Sequence, residues 1–136
     1  MNFVNKFEMS THTNHFFYYR FIFENVLDKN PSSNNGLTPF HAAAQNGHLS
    51  VCMFIIAKTG DKNPPSVFNG FTPLHAAASN GHLVVCKLIM KNVDEKNPRT
   101  HSGKTPLSLA VKNRHFKTSN YIFLKMLVDM LIAPIN

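Results

Sequence analysis

The chain has 136 residues, 43% of them hydrophobic, enough for one domain with a buried core. Only two cysteines occur, Cys52 and Cys86, which excludes a disulfide scaffold and fits a reducing compartment. The net charge is +7, and the nine basic residues from Lys87 to Lys125, set against Asp94 and Glu95, carry the whole excess.

In chain order, the opening MNFVNKFEMSTHTNHFF lacks the apolar run of a secretory leader. HFFYYRFIFENVL (His15–Leu27) is the first strongly apolar stretch, and Asp28-Lys29-Asn30-Pro31 follows it. GLTPFHAAAQNGHLSVCMFII (Gly36–Ile56) then returns as GFTPLHAAASNGHLVVCKLIM (Gly70–Met90), shifted by 34 residues. It returns again, degraded, as GKTPLSLAVKNRHFKTSNYIF (Gly103–Phe123), shifted by 33. The tails recur as well, at Asp61-Lys62-Asn63-Pro64 and Glu95-Lys96-Asn97-Pro98. The stretch from His15 therefore belongs to an earlier unit whose first half is eroded. The chain divides into a degenerate unit at 1–31, units at 32–65 and 66–98, and a degenerate unit at 99–136.

Each copy predicts two short helices and a loop. Thr38, Thr72 and Thr105 are placed to cap a helix that starts on Pro39, Pro73 or Pro106, where the missing N–H costs nothing. Alanines continue the helix, and Gly47 or Gly81 stops it. LVVCKLIM (Leu83–Met90) is almost wholly apolar, which predicts a second helix buried on several sides. No copy buries such a run alone, so stability requires stacking.

TPFHAAAQNGH and TPLHAAASNGH resemble the ankyrin repeat, and the period agrees. The resemblance covers roughly residues 5–125 and implies an all-α solenoid of helix–turn–helix units joined by hairpin-like loops. The last unit has Ser108 where histidine is expected and Asn113-Arg114-His115 where the glycine turn belongs, as befits a cap.

The resemblance gives His41 and His75 a structural part, bonded to the threonine hydroxyl and nearby backbone at the helix start. His15, His48, His82 and His115 recur at intervals of 33, 34 and 33 and predict a ladder, one per inter-helix turn. Rungs set about 10 Å apart by helix packing cannot share a zinc held at about 2.0 Å. Cys52 and Cys86 read as small core residues. Neither a phosphate loop nor a catalytic cluster stands out, so no enzyme, metal or cofactor is expected.

Function then falls to surface positions the repeat leaves free. By resemblance, partners touch loop tips and the exposed face of each first helix. These positions are Asn34, Asn35, Leu37, Gln45 and Asn46, then Phe68, Asn69, Phe71, Ser79 and Asn80, then His101, Ser102, Lys104, Lys112 and Asn113. The implied function is a non-catalytic scaffold for a protein partner, in a cytoplasmic or nuclear setting, with a monomer preferred over a dimer. Phe68 and Phe71 are the candidate aromatic anchors. An alternative is an electrostatic adaptor for nucleic acid or anionic membrane through residues 87–125. Asn30 and Asn97, eight residues before Thr38 and Thr105, also resemble the loop asparagine that hydroxylases modify in some ankyrin domains, although proline follows each. The tail Tyr121–Ile135, interrupted by Lys125 and Asp129, is too short and too charged to span a bilayer. It predicts either a long capping helix or a docking surface.

Overall fold

Three threonine–proline pairs open three short helices, and three histidine turns open three longer ones. A computed structural model describes residues 32–133. The unit expected at 1–31, with His15 and Asn30, lies outside the described residues. The helices are α1 (Pro39–Gln45), α2 (Leu49–Thr59), α3 (Pro73–Ser79), α4 (Leu83–Asn92), α5 (Pro106–Lys112) and α6 (Phe116–Ile132). They pack in pairs, as the sequence predicts. α1 lies on α3 and α3 on α5, while α4 sits between α2 and α6.

The caps explain why each pair begins where it does. Thr72 is extended, with φ −110°, and its Oγ1 accepts from the His75 backbone N–H at 3.3 Å. Thr105 does the same for Ser108 at 3.0 Å. At the other end, Gly47 and Gly81 both turn the chain with φ 73°. Arg114 holds the same left-handed conformation, φ 62°, without the freedom of glycine.

The core runs along the seam between layers. Ala42, Ala43, Ala44, Ala76, Ala77 and Ala78 are buried, so the first helices approach closely. Leu74, Ile55, Ile89 and Ile122 fill the space beneath them, completely buried. Each such side chain contributes roughly 1.5–3 kcal/mol of burial. One expectation needs narrowing. Val85, Cys86, Ile89 and Met90 of α4 are buried, but Val84 is 57% exposed and Lys87 faces out. The helix buries one broad stripe, because its other side meets water rather than a further helix.

The connectors close as tight turns, with no strand among the described residues. Ser33 N–H bonds the Leu37 carbonyl at 2.7 Å, and Thr100 N–H bonds that of Lys104 at 2.9 Å. In the middle unit Ser66 N–H bonds Phe71 at 2.7 Å, so this tip holds one residue more. That extra residue accounts for the shift of 34 rather than 33.

Candidate interaction surface

The motif histidines join layers as well as capping helices. Nδ1 of His41 accepts from the Thr38 backbone N–H at 3.0 Å, and its Nε2 reaches the Phe71 carbonyl of the next unit at 2.8 Å. A backbone N–H only donates and a carbonyl only accepts, so the ring is the neutral Nε2–H tautomer. His75 repeats the arrangement, from Thr72 N–H at 3.1 Å to the Lys104 carbonyl at 3.0 Å. Burial lowers the pKa of His41 to about 4, against a smaller upward pull from the Phe71 carbonyl. Burial lowers that of His75 as well. Ser108 keeps the local part, bonding Thr105, and reaches no further layer among the described residues.

The turn histidines also cross between layers. His82 donates from Nε2 to the Gln45 carbonyl of the preceding turn at 2.8 Å, and its ring lies on Gly47. His115 lies on Gly81 in the same way. There Asn113 supplies the crossing bond instead, from Nδ2 to the Ser79 carbonyl at 2.8 Å. Burial raises the thiols of Cys52 and Cys86 to about 12, well away from reactivity. Among the described residues no group of His, Cys, Asp and Glu could hold a metal ion.

The predicted contact positions divide cleanly. Asn34, Asn35, Gln45, Asn46, Phe68, Asn69, Asn80, His101, Ser102, Lys104, Lys112 and Asn113 are exposed. Leu37, Phe71 and Ser79 are half-buried. Phe71 stacks between His41 and His75, with ring centroids 6.5 and 5.2 Å away, so its ring belongs to the layer contact. Ser79 accepts from Asn113 through both its hydroxyl and its carbonyl. Phe68 is 65% exposed, its ring edge close to Gly36 of the preceding tip.

Sequence reasoning passed over Val67, which is 74% exposed beside Phe68 in the enlarged tip. Its only signal was the extra residue. It also passed over a cleft of about 410 Å³ between the second and third connectors. Asn63, Pro65, Gly70, Thr72, Val93, Glu95, Pro98, Arg99 and His101 line it. Connectors a whole repeat apart in the chain leave no local pattern for such a cleft. Asn63 and Asn97 are engaged: their Oδ1 atoms accept from the backbone N–H groups of Leu74 and Leu107 at 2.9 and 3.1 Å.

The basic stretch is partly absorbed by structure. Lys96 binds the Met90 and Val93 carbonyls, Lys87 lies 5.1 Å over the Tyr121 ring, and Lys125 pairs with Asp129 at 3.2 Å. Lys91, Arg99, Lys104, Lys112, Arg114 and Lys117 stay exposed. Among the described residues no helix is long and apolar enough to cross a membrane.

No curated protein matches the chain. A family model described as ankyrin repeats in three copies matches residues 14–99 and, overlapping it, 56–131. With helix pairs stacked through the threonine–proline caps and inter-layer histidines described above, the chain belongs to the ankyrin-repeat family.

Proposed function

We propose that this ankyrin-repeat domain is a non-catalytic scaffold that captures a partner protein through its loop tips, with Val67 and Phe68 as the anchor. Domains of this family commonly serve protein interaction. The observation that carries the reading is the middle tip. It holds one residue more than its neighbours and sets two large apolar side chains, 74% and 65% exposed, among Asn34, Asn35 and Asn69. Neither side chain is needed to fill the core, and an apolar anchor ringed by adaptable amides suits a binding hot spot. Two buried free thiols fit a reducing, cytoplasmic or nuclear setting.

The experiment is affinity capture from cells with the wild-type domain, a Val67→Ser/Phe68→Ser variant and a Lys62→Ala control. A central anchor is worth about 2 kcal/mol, so the double variant should lose its partner by roughly 30-fold while the control keeps it. Equal capture by all three would dismiss the anchor. Phe71 is the wrong residue for this test, since its ring stacks on two buried imidazoles and its removal would disturb the fold.

A further inference from the structure

The outward face of the third described unit can be read from the layer beneath it, because a shift of 33 residues carries the second described unit onto the third. In that second unit Ala78 and Met90 are completely buried, Ser79 accepts from Asn113, and Gly81 lies under the His115 ring. The same shift leads to Val111, Phe123, Lys112 and Arg114. Val111 and Phe123 are each 54% exposed, and Lys112 and Arg114 are exposed too. Lys104 takes the place of Phe71 and is exposed as well.

This exchange closes the face to one occupant and fits it for another. A Cβ on Gly81 would stand 2.5 Å from Nδ1 of His115, nearer than real contacts allow. Arg114 carries that Cβ in the same left-handed turn, so a further layer bearing the usual histidine does not seat. The apolar area nevertheless remains, with larger side chains than Ala78 and Met90 offer, now bordered by cations. No described carboxylate pairs with Lys104, Lys112 or Arg114, and Asp129, the one acid on α6, is held by Lys125.

We propose that this face docks an acidic amphipathic helix of a partner protein, its apolar stripe on Val111 and Phe123 and its carboxylates toward Lys104, Lys112 and Arg114. A helix is the favoured occupant because the face continues the interface on which a helix pair rests in each earlier layer. Acidity follows from charge complementarity across that border. The surface is separate from the Val67–Phe68 tip, so the two readings stand or fall independently.

The test is fluorescence anisotropy with a labelled helical peptide carrying leucine on one face and glutamate on the other. The same peptide with lysine for glutamate, and vesicles of phosphatidylserine and phosphatidylcholine, serve as comparison probes. The glutamate peptide should bind best. Lys104→Glu/Lys112→Glu should weaken it at least about tenfold and turn the preference toward the lysine peptide. Phe123→Ser should weaken it comparably, with circular dichroism unchanged, and Val67→Ser/Phe68→Ser should leave it intact. The proposal is overturned by absent binding of the glutamate peptide, by equal binding of both peptides, by indifference to charge reversal, or by binding to the vesicles alone.

Discussion

A buried imidazole wedged between a backbone donor and a backbone acceptor cannot take a second proton without losing one of them. His41 is in that position: protonating Nδ1 sets it against the Thr38 N–H. Its pKa is about 4 when folded, chiefly through burial, against an ordinary 6.5. Between those values the unfolded chain binds the proton and the folded one does not. Stability is therefore full above about pH 6.5 and falls as the pH drops toward 4. At 1.36 kcal/mol per pKa unit the loss from His41 approaches roughly 3 kcal/mol, and His75 adds to it in the same direction. Urea unfolding at pH 7 and pH 4.5, on wild type and His41→Asn, checks this. Wild type should lose about 2–3 kcal/mol more than the variant over that interval. Parallel losses would mean that other groups carry the acid sensitivity.

At the scale of the element, the inter-helix turn obeys two demands at once. Gly47 and Gly81 must adopt a positive φ, and they must also leave room for the imidazole of the next layer. Arg114 faces only the first demand among the described residues, and there it bears strain that glycine would not. Arg114→Gly should thus stabilise the domain by about 0.5–1 kcal/mol, the relief being partly offset by a looser unfolded chain. Gly81→Ala should destabilise it by at least about 2 kcal/mol, because strain and overlap with His115 add. Chemical denaturation reads both, and a stabilised Gly81→Ala would refute the second demand. The first demand was legible in the chain, since Asn-Gly after an alanine run marks a helix end. The second was not: it arises between residues a whole repeat apart, Gly47 with His82 and Gly81 with His115, and only the recurrence of histidine hinted at it.

Across the whole molecule the layers depend on a few bonds that run along the stack. The paired-helix architecture could be read from the repeats because its causes are local: a cap, a proline start, an apolar run. The exposed tip at Val67 and the cleft between the second and third connectors could not, because they come from one added residue and from connectors meeting across layers. The motif histidine belongs to both kinds, and it yields the sharpest test of how the stack coheres. Ser108 shows that serine preserves the helix start, accepting from Thr105 N–H at 2.9 Å while its own N–H bonds the threonine hydroxyl at 3.0 Å. His75→Ser should therefore keep α3 capped. It would lose the 3.0 Å bond to the Lys104 carbonyl and the stack on Phe71, and leave a cavity between two layers. The expected loss is about 2–4 kcal/mol, an unpaired carbonyl and a void together. Urea unfolding should show a lower midpoint while helical circular dichroism before the transition is unchanged. A loss below about 1 kcal/mol, no more than a cap is worth, would confine His75 to its own helix and leave these two layers to apolar contact and the turn bond from Asn113 to Ser79.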